Sequence, residues 1–218
     1  MASRLKIWML GTSLITAVVF LLAGTWRDLW LWAYVAVWAT TSAYAFSGID
    51  DDLAKERYRP PTASADRVGL TFIRLTALAH IVVGALDTGR WHLTAAPPPA
   101  VRAFALAAMA AGFLTFYRAM RENRFFSAVV RIQADRGHRV VDTGPYSIVR
   151  HPGYAGLLLV PPVSGLALGS WLAVAIGAVM SMLVVRRAFF EDAFLRAHLE
   201  GYTAYAQRVP HRLIPGVW

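Results

Sequence analysis

Apolar residues in this chain come in long runs, without the alternation of a half-buried strand. The runs are Ile7–Trp26, Leu29–Phe46, Leu70–Leu86, Val101–Tyr117 and Tyr154–Val185, and nearly all the charges lie between them. A helix needs about 20 mostly apolar residues to cross the hydrocarbon core of a bilayer, so the first four runs fit one crossing each. The fifth is too long for one ordinary helix and short for two. Pro161, Pro162, Gly165 and Gly169 lie in its middle, where a turn costs least. A single tilted helix would leave Arg186, Arg187, Arg196, Arg208 and Arg212 across the membrane from the other basic segments, whereas a hairpin returns them. The pattern predicts an all-α integral membrane protein of about six membrane segments, the last two a helical hairpin. It forms one domain over 1–218, with four spans in 1–120 and a more polar half in 121–218.

Composition supports that class. The chain is 57% hydrophobic and 16% charged, against about 45–50% and about 25% in soluble domains. Arg4 and Lys6 precede the first run, as in a signal peptide. That run exceeds the roughly 7–15 apolar residues of a signal core, however, and TWRDLW follows it with tryptophans at interface level. The expectation is a retained helix. The absence of cysteine excludes disulfides, thiolate metal ligands and cysteine nucleophiles. A net charge of +9 raises nucleic acid as a partner, but its distribution argues otherwise. With the N-terminus cytoplasmic, segments 1–6, 48–69, 118–150 and 186–218 are inside. They hold every Lys and Arg except Arg27, Arg74, Arg90 and Arg102. This positive-inside bias places both termini in the cytoplasm, and the basic charge serves topology and anionic lipid headgroups.

The connector 48–69 (GIDDDLAKERYRPPTASADRVG) reads as a polar link with a stop at Pro60-Pro61, and 87–100 as a plain outer turn. The tail RRAFFEDAFLRAHLEGYTAYAQRV has apolar residues at 189, 190, 194, 195, 199 and 202. That helical recurrence suits a helix lying along the membrane surface, ended by Pro210 and Pro215. The informative polar residues fall in 121–154 and 186–215. A hairpin would bring both segments to one cytoplasmic face, with the apolar bundle as the other wall of a single site.

The most distinctive stretch is DTGPYSIVRHPGY at 142–154, a polar, aromatic-rich turn with two prolines and two glycines at the mouth of an apolar run. GPYSIVRHPGYAG at 144–156, followed by RRAFFEDAFLRAHLEGYTAYAQRVPHRLIPG at 186–216, resembles the isoprenylcysteine carboxyl methyltransferase family. These are integral-membrane enzymes that use S-adenosyl-L-methionine, and phospholipid N-methyltransferases are their relatives. The resemblance runs from Asn123 onward. It implies cofactor contacts at His138, Arg139, Val140, Val141, Tyr146, His151, Pro152, Gly153 and Tyr154. Arg131 falls where the family can carry a glutamine, Glu191 where its glutamate meets the cofactor, and Arg187 where an arginine faces the substrate. Glu191 and Arg187 are thus the implied catalytic pair. The family usually shows two consecutive glutamates, and this chain has Glu191-Asp192.

The chemistry of these residue types agrees with that implication. A carboxylate such as Glu191 can pair with the ammonium of the cofactor's methionine part, a charge-assisted contact. Tyrosine faces can meet the adenine or the sulfonium, the latter a cation–π contact worth roughly 0.5–2 kcal/mol. A carboxylate acceptor is already ionised and needs orientation only, for which the planar fork of Arg187 is suited. An amine or thiol acceptor needs a base, for which Glu191, Asp192, His151 or His138 would have to serve. Carboxyl O-methylation of a lipophilic, prenylated-type acceptor is therefore expected slightly ahead of phospholipid or other N- or S-methylation.

Plainer readings stand beside these. Arg187 and Glu191, four apart on a helix, also fit a surface ion pair. Tyr202 and Tyr205 are expected as interface anchors, and His151 can simply start a helix. His80 and Arg74 stay unassigned. Membrane sterol reductases resemble the same C-terminal half but bind NADPH, and the Arg-x3-Glu-Asp arrangement favours the methyltransferase side. A transporter would show broken helices in matching halves, and no repeat is visible; a scaffold would need no ligand at all. No spacing of His, Asp and Glu reads as a metal site, and neither metal nor nucleic acid is expected as a partner.

Overall fold

The computed structural model describes residues 2–58, 60 and 64–217, with side chains from Leu5 onward. The side chain of Arg4 and all of Pro61 therefore fall outside what is described. Among these residues the chain is all helical: α1 Ala2–Ala23, α2 Leu29–Ser47, α3 Asp51–Tyr58, α4 Arg67–Leu86, α5 Pro99–Glu122, α6 Pro152–Leu168, α7 Trp171–His198 and α8 Tyr202–Arg208. α1, α4, α5 and α7 are long and apolar enough to cross a membrane, and α6 is a shorter apolar helix. Leu14, Leu21, Leu75, Leu78, Phe104, Leu159 and Met182 are exposed on the bundle surface, the face a lipid-embedded bundle presents.

With lipid outside, apolar burial does little to hold the helices together, and close packing of small residues does more. α5 meets α6 where a Cβ on Gly156 would lie 2.6 Å from the Gly112 carbonyl oxygen. α7 meets α6 where a Cβ on Gly177 would lie 2.5 Å from the Pro161 carbonyl oxygen. Val19, Leu31, Tyr34, Met109, Val160 and Leu168 fill the middle of the bundle. Ala45, Leu53, Phe116, Tyr117 and Met120 fill the end near α3.

α6 and α7 form an antiparallel pair, and of the four residues expected to mark the turn, Gly169 does so while the prolines do not. The turn lies at Gly169-Ser170, with Gly169 left-handed and Ser170 capping α7 by accepting from the Ala173 amide. Pro161 and Pro162 sit inside α6. A proline there frees a carbonyl four residues back, and the Ser181 hydroxyl of α7 donates to the Leu158 carbonyl at 2.6 Å. The neighbouring helix thus meets one of the two carbonyls that the proline pair frees.

Two loops are more ordered than their sequences suggest. Residues 87–91 form a single π-helical turn, and buried Asp87 accepts from Ser170 Oγ at 2.6 Å and from the Leu93 amide at 2.8 Å. Arg90 donates to the Leu21 and Leu22 carbonyls, and Arg102 to those of Ala167 and Leu168. Each cation closes the C-terminal end of a helix, where the dipole favours positive charge. Buried His80 bonds to Ser164 Oγ and to the Ala173 carbonyl, tying α4 to the hairpin. The 48–69 connector is likewise more than a link, since α3 buries Leu53, Ala54 and Glu56.

The surface helix expected for the tail is replaced by α7 itself, which runs unbroken from Trp171 to His198. At 1.5 Å per residue it spans about 42 Å, beyond the roughly 30 Å hydrocarbon core. Its last turns, with Arg187, Glu191 and Asp192, project from the apolar bundle. Helical periodicity alone does not show where one helix would turn away, and nothing between Val185 and His198 breaks it.

Candidate active site

At the end of the bundle where α7 projects, a cavity of about 170 Å³ opens between the helices and the 123–151 segment. Its lining includes apolar side chains of the bundle, Leu70 and Ile73 of α4, Leu157 of α6, Met180 and Val184 of α7. It also includes the polar residues Asn123, Gln133, His138, Tyr146, His151, Tyr154, Arg187, Glu191 and Tyr202. Of the residues singled out from the sequence, Arg131, His138, Arg139, Val140, Val141, Tyr146, His151, Gly153, Tyr154, Arg187 and Glu191 all line it. Pro152 does not; it is buried as the first residue of α6, where its missing N–H costs nothing.

The turn at 144–147 is a 3-10 helix, started by Gly144 at positive φ with Pro145 next. It buries Tyr146, whose hydroxyl donates to the Ala119 carbonyl at 3.3 Å and accepts from Asn123 Nδ2 at 3.4 Å. Burial pushes the Tyr146 phenol up, so it stays protonated. The Tyr205 hydroxyl holds the same turn from α8, donating to the Tyr146 carbonyl at 2.7 Å. His138 lies against Phe125, ring centroids 4.6 Å apart, and its Nδ1 accepts from the Gln133 amide. Burial pushes the His138 imidazole down; Glu191 opposes that shift, and Arg131 and Arg136 add to it. The stretch around Val140 and Val141 has no regular secondary structure.

Glu191 and Arg187 do not pair directly. The Tyr154 hydroxyl stands between them, donating to Glu191 Oε2 at 2.6 Å and accepting from Arg187 Nε at 2.9 Å. Arg187 also donates to the Ala128 carbonyl at 2.8 Å and reaches Asp66 Oδ2 at 3.3 Å. Buried Asp66 caps α4, accepting from the Gly69 amide. Arg131 lines the cavity while its guanidinium is engaged by Glu56 at 2.9 Å and Asp135 at 2.8 Å. Burial alone would raise the Glu56 carboxyl, and the Arg131 and Ser127 hydrogen bonds hold it below the ordinary value instead.

Asp192, next to Glu191, has the opposite surroundings. It is 1% exposed and accepts from Arg150 (Nε 2.7 Å, Nη2 3.2 Å), Tyr202 (3.0 Å), Arg196 (3.1 Å) and Arg212 (3.1 Å). His151 Nε2 lies 3.2 Å away. Arg150 also donates to the Val209 and Pro210 carbonyls, both at 2.7 Å. The amides of Arg150 and His151 donate to the carbonyls of His211 and Arg212, both at 2.9 Å. The tail is thereby strapped across the start of α6. Tyr202 and Tyr205 are buried in this network, which corrects their reading as interface anchors. Their hydroxyls have protein partners and no need of the headgroup region.

Sequence reasoning missed Asp66, Glu56 and Gln133. Gln133 is buried and donates to the Phe125 carbonyl at 2.6 Å, shaping the segment that His138 rests on. Arg150 lies inside the quoted motif, so its importance was within reach. Asp66 and Glu56 carried no local signal.

The phospholipid methyltransferase family model matches residues 100–201. Protein-S-isoprenylcysteine O-methyltransferase B of Arabidopsis thaliana is 32% identical over 89 residues, 40% of this chain and 45% of the relative. A probable protein-S-isoprenylcysteine O-methyltransferase of Oryza sativa subsp. indica is 34% identical over 88 residues, 39% of this chain and 46% of the relative. The matched stretch thus spans about half the length of these curated relatives. The C-terminal half of the chain is thus similar to the phospholipid methyltransferase family and to isoprenylcysteine O-methyltransferases, over the stretch that holds the first part of its two-part motif and the start of the second.

Proposed function

We propose that the chain is a membrane methyltransferase that uses S-adenosyl-L-methionine to methylate a lipophilic acceptor, with carboxyl O-methylation of the isoprenylcysteine type as its reaction. The observation that carries this reading is the mixed lining of the cavity, which combines Glu191, His138 and Tyr146 with apolar side chains of α4, α6 and α7. A water-soluble donor and a lipid-soluble acceptor each find matching surroundings there. By the positive-inside pattern, the site and both termini face the cytoplasm.

The residues present fit the cofactor's chemistry. Glu191 accepts from Tyr154 through one oxygen, so its other oxygen can take an ammonium. Tyr146 and Tyr154 offer ring faces, and the irregular backbone at Val140 and Val141 offers amides and carbonyls. When bound, S-adenosylmethionine supplies an electrophilic methyl group on a sulfonium. The chain's own residues position the acceptor. Tyr154 fixes Glu191 and Arg187 relative to each other, and Arg187 faces the acceptor. An acceptor carboxylate needs no base, so orientation in a near-attack geometry is the main contribution, worth roughly 7–11 kcal/mol in well-aligned systems. His138, kept neutral by burial, adds no positive charge next to a sulfonium.

The test uses protein in nanodiscs, S-adenosylmethionine labelled in its methyl group, and an S-farnesylcysteine acid. The expected product is a base-labile methyl ester, abolished by Glu191→Gln. Label in a base-stable product on phosphatidylethanolamine would transfer the assignment to N-methylation. No transfer to either acceptor by folded protein would contradict the reading.

A further inference from the structure

The arginines around the cavity mostly have acids of their own: Arg131 has Glu56, Arg136 has Asp52, Arg150 has Asp192 and Arg187 has Asp66. Arg139 lines the cavity but is solvent-exposed. Arg57 differs from all of these. It lies near the end of α3, lines the cavity and is partly buried. Its guanidinium carbon is 5.4 Å from the ring centroid of Phe116 and 5.6 Å from that of Phe126. Among the described residues no side chain or carbonyl accepts a hydrogen bond from it. Burial pulls its pKa down, the phenols of Tyr58, Tyr154 and Tyr117 act the other way, and Arg187 adds to the fall.

A desolvated cation is costly unless an anion meets it, and ring faces offset only part of that cost. Contact with aromatic faces also leaves the in-plane N–H edge of a guanidinium available. We propose that Arg57 is the anion-recognising residue of the acceptor site, taking the carboxylate or phosphate head of a lipophilic acceptor. The inference rests on the membrane methyltransferase reading and deepens it. Phe116 packs in one apolar cluster with Phe126 and Leu157 against it, so an occupant beside Arg57 gains from being greasy as well as anionic. An acceptor has both properties, whereas the donor is polar throughout. Arg187, held by Asp66, Tyr154 and Ala128, can orient the acceptor but has less capacity for a further charge.

The experiment compares binding of acid and neutral partners to protein in nanodiscs. One pair is S-farnesylcysteine acid against its methyl ester; the other is lysophosphatidic acid against monoacylglycerol. S-adenosylmethionine affinity is measured separately, and wild type, Arg57→Gln, Arg57→Lys and Arg187→Gln are compared. Wild type is expected to prefer the acid by about tenfold in one pair, and that pair identifies the anion as carboxylate or phosphate. Arg57→Gln should reduce the preference to about twofold or less, leaving the neutral partner and S-adenosylmethionine bound as before. Arg57→Lys keeps charge but loses the planar fork, so part of the preference should remain. If the glutamine variant does not melt cooperatively, the lysine variant decides, and an undiminished preference in it overturns the proposal. So does a preference that survives Arg57→Gln, one lost only in Arg187→Gln, or no acid preference in wild type. A loss of S-adenosylmethionine affinity in Arg57→Gln with acid preference intact overturns it as well, by moving Arg57 to the donor's side. A wild type that binds no S-adenosylmethionine would sink the methyltransferase reading alone, because acid preference is read without it.

Discussion

Glu191 and Asp192 are consecutive acids on one helix, and they face different regions of the molecule. Asp192 is closed in by Arg150, Arg196, Arg212, Tyr202 and His151, and through them it fastens the tail to the start of α6. Glu191 faces the cavity and has one described hydrogen-bond partner, Tyr154. A step of one residue turns a side chain by roughly 100° around a helix, enough to divide two similar carboxylates between architecture and chemistry. The comparison teaches that a saturated acid holds a site together while an acid with spare capacity can take a ligand.

The largest effect that would break this division comes from Asp192→Ala. It leaves Arg150 buried without its anion, and removing one partner of a buried pair costs about 3–5 kcal/mol. Denaturation of the purified protein should show a fall of that size, whereas Glu191→Gln should change stability by less than about 1 kcal/mol. Equal losses in the two variants would end the distinction. Next in size is Tyr154→Phe, which removes the hydroxyl between Glu191 and Arg187. Its expected signature is a loss of about tenfold in S-adenosylmethionine affinity with melting temperature little changed.

That division was only partly legible in the sequence. The helices were readable because each run is long and apolar, and the 142–154 turn because Gly144, Pro145 and Pro152 fix local geometry. Asp66, Glu56 and Arg57 were not. Their partners Arg187, Arg131 and Phe116 are remote in sequence, and a polar connector gives no sign of which acid will meet which cation. Of the four residues expected to mark the last turn, Gly169 does, whereas Pro161 and Pro162 stay inside α6, where Ser181 of another helix meets a carbonyl they free. The tail's periodicity was real, but it continued α7 and did not start a separate surface helix.

Smaller effects sharpen the picture. Ser181→Ala leaves the Leu158 carbonyl without the hydroxyl that meets it; hydrogen bonds between membrane helices are worth about 0.6 kcal/mol on average and up to about 1.7. A loss in that range, read by unfolding, would support the account of the proline pair. The smallest is a pH effect. Burial holds His138 below its ordinary pKa, so the folded state prefers the neutral ring. Its contribution is present above the unfolded value of about 6.5 and is lost as pH falls from there through the depressed folded value. Melting temperature should drop on acidification across that window, and His138→Gln should flatten the drop. A steeper drop in the variant would reverse the assigned sign.

The most direct test of the central claim is calorimetry of S-adenosylmethionine with the purified protein, using Glu191→Gln as the variant and NADPH as comparator. The account predicts binding in the micromolar range, about −8 kcal/mol, weakened by about tenfold or more in Glu191→Gln with the melting temperature unchanged, and no binding of NADPH. Folded protein that ignores S-adenosylmethionine, or that binds it equally well without the Glu191 carboxylate, would contradict it.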